Sequence, residues 1–448
     1  MKSISLHQCR VADTVWNGKA YLPSLLILSV LAQCTHTQLA AMLFMVAVCV
    51  FMLIFCDDLL SVAAPVLLTI VLSTEFYKDY TVLAPYAVYA ALPFAAALLF
   101  NVVYYKRPFV RGKFFFPLLA VSAALILGGV GVIASEEYFR PVSLYYTLGL
   151  GVLMLLLYML CCSRLANERG YDRTERMADI LYAVGLLAAF VIAQFYAGNF
   201  DKFLEKGSVL FFKPRNFLSS VLLMTLPSAC LPIRRHTVHF AGFFFMSAAL
   251  IFAGSRSGLL FGAMVGALCT VYVIILLRDR FDLRKWYQIV FLLFSVAVFV
   301  LAVRYIPALY SSRMVHGRIA SNTETRAEFI SRGLRDFLGA PLCGIGIGSL
   351  RNAVIFKAII PGSIIFYHNA VVQVFASMGL LGAAAYGWLL LTRLKTAAGC
   401  IKSPQAVFAI AYLGILAMSM TNPGLFCPFP EAALTVLLFA LMESELKT

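Results

Sequence analysis

The side chains best suited to chemistry in this sequence are arginines, a histidine and carboxylates gathered in short turns beside apolar runs. Gly254-Ser255-Arg256-Ser257-Gly258 holds one arginine in a small-residue turn between two such runs. A guanidinium presented this way suits phosphate, because it stays protonated and donates hydrogen bonds in a planar fork. The competing reading is an arginine snorkelling from a helix end toward lipid headgroups. Thr323-Glu324-Thr325-Arg326-Ala327-Glu328-Phe329 sets Arg326 between two acids. Arg326 could bind phosphate while Glu324 or Glu328 orients it or accepts a proton; a solvated helix face with local ion pairs is the alternative. Tyr367-His368-Asn369 stands directly before the apolar run Ala370 to Leu391. A histidine at the mouth of a span can act as a base or a phosphate partner, or be an interfacial structural residue. Lys213-Pro214-Arg215-Asn216-Phe217 is a weaker basic turn that opens another span. His316 has no such context.

The elements that must position these residues are membrane spans. The chain has 448 residues, of which 62% are hydrophobic and 13% charged, with a mean hydropathy of +0.89. A soluble globule runs about 45–50% apolar and about 25% charged, and disorder needs low hydrophobicity, so both are excluded. Apolar runs bounded by polar clusters lie near residues 20–36, 38–56, 59–74, 81–105, 114–134, 141–162, 177–197, 217–233, 239–254, 257–277, 286–303, 367–392, 404–421 and 429–443. Several fall short of a full crossing, so the expectation is an all-α polytopic bundle of about 12–14 spans. The first run ends in Leu31-Ala32-Gln33-Cys34 and reads as a span rather than a cleaved leader. The 11 cysteines form no CxxC pair, which supports neither a zinc site nor a redox motif.

The net charge of +15 would suggest nucleic acid in a soluble protein, but here its first explanation is topological. Cytoplasmic loops collect Lys and Arg. With the N-terminus inside, 21 of the 36 basic residues fall on the cytoplasmic side, which puts both termini there. The domains are then a bundle over 1–303, an extracytoplasmic loop over 304–366 and C-terminal helices over 367–448. The loop carries eight basic residues against Glu324, Glu328 and Asp336. Positive charge crowded at the outer surface suits an anionic partner, and the anions there are lipid phosphates. The middles of the spans hold Gln194 and Gln373 but no Asp, Glu, Lys or Arg, unlike most ion-coupled transporters.

Within the loop, Ala327, Ile330, Leu334 and Phe337 are spaced by three and four. This predicts an amphipathic helix over 324–338 along the membrane surface, capped by Thr323 or Asn322. The glycines of Leu342-Cys343-Gly344-Ile345-Gly346-Ile347-Gly348-Ser349-Leu350 resemble a nucleotide loop, but no βαβ unit surrounds them. They read instead as a tight, close-packed return to the membrane.

Taken in order, Gly-Ser-Arg-Ser-Gly, Thr-Arg-x-Glu-Phe, Gly-Ile-Gly-Ile-Gly-Ser-Leu, His-Asn-x-x-x-Gln and Met-Gly-Leu-Leu-Gly resemble the O-antigen ligase and O-antigen polymerase superfamily of bacterial membrane proteins. The topological likeness spans the chain, and its specific motifs lie between Arg215 and Gly382. Where many members carry Trp a few residues after the loop arginine, this sequence has Phe329 and Ile330. The resemblance implies a helical bundle of the lipid-dependent glycosyltransferase (GT-C) type in the cytoplasmic membrane, with its site on the extracytoplasmic face. It implies transfer of a glycan from undecaprenyl diphosphate to a glycan or lipid acceptor, with no cofactor, metal or nucleic acid. By motif, Arg256 and Arg326 bind the diphosphate and His368 takes part in catalysis, with Arg215 a further basic contact; Glu324, Glu328 and Asn369 are read from the residues beside them as further substrate contacts. Diphosphate is a good leaving group that needs charge neutralisation more than a strong acid. Guanidinium groups beside His368 should favour its neutral form, which can take the acceptor proton. Direct attack by the acceptor hydroxyl inverts the anomeric centre. The alternative function is a non-enzymatic transporter or flippase of a lipid-linked glycan, which needs a polar path that the span centres lack. Ligase and polymerase share this donor and differ in the acceptor.

Overall fold

The computed structural model describes residues 14–76, 80–106, 109–165, 172–212, 214–236, 238–277, 313–347, 367–421 and 429–445. Within residues 313–325 the helical backbone is described without side chains. Every regular element among the described residues is helical. The longer ones in chain order are α1 (Tyr21–Thr35), α2 (Gln38–Phe55), α3 (Leu59–Phe76), α4 (Ala84–Tyr105), α5 (Phe115–Gly129), α6 (Pro141–Leu165) and α7 (Arg173–Ala197). There follow α8 (Phe200–Lys206), α9 (Arg215–Arg235), α10 (His239–Phe252), α11 (Arg256–Leu277), α12 (Arg313–Gly339), α13 (Ala370–Gly399), α14 (Ala406–Met418) and α15 (Phe429–Glu445).

Eight helices, α2, α3, α4, α6, α7, α9, α11 and α13, are long and apolar enough to cross a membrane, and α1, α5, α10 and α14 are shorter apolar helices. The chain is a multi-pass helical membrane protein, as its hydropathy predicts. The expected span near 286–303 lies outside the described residues; each of the others coincides with a helix.

The helices gather into two compact units. The first comprises Met1–Lys106 and Tyr171–Ala320. Its central helix is α7, which Asp172 caps by accepting from the Thr174 and Glu175 amides at 2.8 and 3.1 Å. Leu181, Val184, Leu187 and Ile192 of α7 are buried where it packs on α1, α3, α9 and α10. Between helices in lipid, close packing rather than water exclusion drives association, and small residues permit it. Gly185 is such a residue: a Cβ there would lie 2.2 Å from Met246 Cε and 2.7 Å from Thr225 Oγ1.

The second unit comprises Arg107–Gly170 and Ser321–Thr448. Glu443 of α15 ties its helices together, accepting from the Tyr158 hydroxyl at 2.5 Å and from the Lys113 amide at 2.8 Å. Its longest helix, α13, breaks at Gly379, whose φ of 62° and ψ of −153° are not helical. Backbone groups freed by the break must be paired elsewhere, and the glycine-rich return pairs them. Ile345 and Gly346 amides donate to the Ala376 and Ser377 carbonyls at 2.9 and 3.0 Å, and Leu380 donates to Pro341 at 2.8 Å. A Cβ on Gly379 would sit 2.5 Å from Leu342 backbone atoms. Gly379→Ala is therefore expected to destabilise the second unit by at least about 1–3 kcal/mol, the usual cost of such a backbone in a non-glycine residue. A fall in the Tm of the detergent-solubilised protein measures it.

One expectation for the loop helix needs correction. Neither Asn322 nor Thr323 caps it, because α12 is already helical from Arg313. Ile330 and Leu334 of the predicted apolar stripe are 36% and 50% exposed, which leaves that stripe free of protein packing, while Phe329, Arg332 and Asp336 beside it are buried.

Candidate functional site

The residues singled out from the sequence form two clusters, one in each unit. In the first unit, Gly254 takes a φ of 76°, which turns the chain from α10 into α11 and leaves Arg256 exposed at the first position of α11. Ser255 is buried and acts as the cap. Its hydroxyl accepts from the Gly258 amide at 3.2 Å, as a helix start requires, and donates to Asn216 Oδ1 at 3.0 Å. That second bond joins the Gly254–Gly258 turn to the start of α9, where Arg215 stands half-buried with its guanidinium carbon 4.6 Å from the centre of the Phe211 ring. Two basic turns, joined by a bond between residues 39 apart in sequence, are thus brought together, and both arginines stand at helix N-termini, where backbone amides favour anions. Ser255→Ala is expected to cost about 1 kcal/mol and to weaken donor binding more than an equally destabilising change elsewhere. A comparison of Tm with the KM for the donor reads this.

In the second unit, Arg326 and Glu328 lie on the exposed side of α12 and Phe329 on its buried side. The Phe329 ring packs 5.6 Å, centre to centre, from the imidazole of His368. Phe329 thus seats the helix that carries Arg326 against the histidine. Glu324 lies within α12, and its side chain falls outside the described residues. His368 is half-buried and has a φ of 54°. A non-glycine residue in the left-handed region carries a conformational cost, and such residues gather at functional positions. Asn369 is the N-cap of α13, accepting from the Val371 and Val372 amides at 3.0 and 3.1 Å while its own amide donates to the Met420 carbonyl at 3.1 Å. Its side chain is committed to holding the histidine turn.

Sequence reasoning passed over the residues that hold this turn from the other side. The buried Tyr367 hydroxyl donates to Asp336 at 2.7 Å, and the Tyr367 amide donates to Gln373 at 3.1 Å. Burial pushes the Tyr367 phenol well up from its ordinary value, the adjacent Asp336 carboxylate adds to this, and Arg332 opposes it. Gly333 makes room, because a Cβ there would lie 2.3 Å from Val372 and 3.0 Å from the Tyr367 ring. Asp336 and Tyr367 are 31 residues apart, and no spacing links them. The one available signal was an acid and an arginine, Asp336 and Arg332, one helical turn apart. Tyr367→Phe leaves the Asp336 carboxylate without its donor and is expected to cost about 1–3 kcal/mol, visible as a lower Tm.

Among the described residues, no three His, Cys, Asp or Glu side chains come close enough to hold a metal ion. What the clusters offer is guanidinium groups, helix amides and one imidazole, which suits binding a phosphorylated group and moving a proton. The family comparison agrees in kind. Residues 241–387 match the family model described as O-antigen ligase, a stretch that includes Arg256, Arg326 and His368 but not Arg215. No curated protein matches the chain. Within a multi-pass helical membrane protein, residues 241–387 are therefore similar to the O-antigen ligase family.

Proposed function

We propose that the protein transfers an oligo- or polysaccharide from undecaprenyl diphosphate to a glycan or lipid acceptor on the outer face of the cytoplasmic membrane. The observation that carries this reading is the Ser255–Asn216 hydrogen bond, which joins the Arg256 and Arg215 turns into one basic cluster at two helix starts. In this reading Arg256, Arg215 and Arg326 neutralise the diphosphate as it departs. Phe329 and Asn369 position His368, and Glu324 and Glu328 act on substrate or on Arg326. The acceptor hydroxyl attacks the anomeric carbon and passes its proton to His368, and the anomeric C–O bond to diphosphate breaks with its electron pair leaving on the diphosphate. Direct attack inverts the anomeric centre. The residues used supply charge and a base, and the proposed step calls on neither metal nor nucleotide.

The experiment is the surface-glycan pattern of a strain lacking the protein. Single repeats still attached to the acceptor identify a polymerase, and long chains left unattached identify a ligase. A pattern identical to that of the parent strain contradicts the proposal.

A further inference from the structure

A diphosphate donor of this class has a hydrocarbon chain as well as a head. The first unit contains a partly open cavity of about 200 Å³ lined by α7, α8 and α10. Five aromatic residues, Tyr196, Phe200, Phe203, Phe245 and Phe252, make up half of its lining and the rest is Ala and Ile. Its single polar group is turned away: the Tyr196 hydroxyl donates to the Phe252 carbonyl at 2.9 Å and accepts from the Leu210 amide at 3.0 Å. A lining of this kind rejects a charged or hydrogen-bonding group. It takes hydrocarbon, as an apolar cavity of about 150 Å³ takes benzene while staying dry.

The two bonds of Tyr196 also fix where the cavity lies. Phe252 stands four residues before Arg256, and Leu210 five before Arg215. Four residues of extended chain span at most about 14 Å, which a few isoprene units also cover. Gly254 abuts this wall, since a Cβ there would lie 3.3 Å from Val209 and 3.4 Å from the Leu210 carbonyl oxygen.

We infer that the cavity receives the head-proximal isoprene units of the polyprenyl chain whose diphosphate is held at Arg215 and Arg256; this rests on the reading of the donor given above. Basic groups at one end and an aromatic, uncharged hollow at the other complement a molecule that changes from dianionic head to hydrocarbon within the same distance. The branched methyl groups and double bonds of isoprene pack against ring faces. The volume takes a short run of one chain, whereas a bilayer phospholipid brings two.

The test is photolabelling of the full-length protein in phosphatidylethanolamine and phosphatidylglycerol vesicles. The probe is a polyprenyl diphosphate with a diazirine on its second isoprene unit, and adducts are mapped by peptide mass spectrometry. Adducts are expected on the stretches containing Tyr196 to Phe203 and Phe245 to Phe252, and unlabelled polyprenyl diphosphate should suppress them. Filling the cavity through Ala193→Phe or Ala248→Phe should lower labelling at least tenfold. Both alanines line the cavity and are themselves exposed, so neither change crowds the helix core. Adducts that added phosphatidylglycerol suppresses equally well mark a bilayer-lipid groove and overturn the inference. So do adducts that both variants leave unchanged. Labelling elsewhere in a protein that still transfers glycan overturns the cavity assignment and leaves the proposed reaction standing. A protein that neither transfers glycan nor labels specifically anywhere contradicts both.

Discussion

Replacing His368 with alanine is expected to lower kcat for glycan transfer by about 10²–10⁴-fold, the usual worth of a positioned base, while the KM for the donor changes little. The reason is that the imidazole acts on the acceptor proton, which moves only in the transition state. His368 is held from several directions, which is what such a group needs. The Phe329 ring packs on it at 5.6 Å, Tyr367 before it is bonded to Asp336 and Gln373, and Asn369 after it caps α13. His368→Ala should therefore be inserted and folded normally, so that Tm stays near wild type while turnover falls. Near-normal kcat would remove His368 from the reaction.

Arg256→Ala is expected to lower kcat/KM by about 10²–10³-fold, the cost of removing a preorganised group that stabilises developing negative charge. Arg256 is exposed at the start of α11 and contributes little to packing, so stability should be unchanged. Arg256→Lys should recover only part of the loss, because a lysine brings the charge without the planar fork. Full recovery by lysine would mean that charge alone matters at this position. Loss of folding in both variants would instead make the turn structural.

The sequence reading and the structure agree where physics acts locally. Twenty apolar residues in a row can do little but form a helix in lipid, so α7, α11 and α13 were legible from composition alone. Gly254-Ser255-Arg256 was legible as a turn because glycine permits a φ of 76° and serine caps the following helix. What joined that turn to Lys213-Pro214-Arg215 was not legible, since the Ser255–Asn216 bond closes a separation of 39 residues. The same holds for Asp336 and Tyr367. Helix α12 was legible as a helix with an apolar stripe, but its contacts were not. Its spacing of apolar residues marks the Ile330 and Leu334 face, which stays exposed, while burial of Phe329 depends on a close approach that Gly333 permits against Tyr367 and Val372. Apolar periodicity in a protein surrounded by lipid does not distinguish a face that packs on protein from one that does not. The glycines of 344 and 346 are structural in the way their context suggested, bonded through their amides to Ala340 and Ser377.

The central claim is glycosyl transfer from a lipid diphosphate without translocation as the product. Its most direct measurement uses the purified full-length protein in vesicles, given a polyprenyl-diphosphate-linked glycan and an acceptor, with glycosylated acceptor and freed polyprenyl diphosphate both quantified. The account predicts that the two appear in equal amounts, and that Arg256→Ala and His368→Ala suppress both together. Donor crossing the bilayer with no glycosylated acceptor formed, or full activity in both variants, would contradict it.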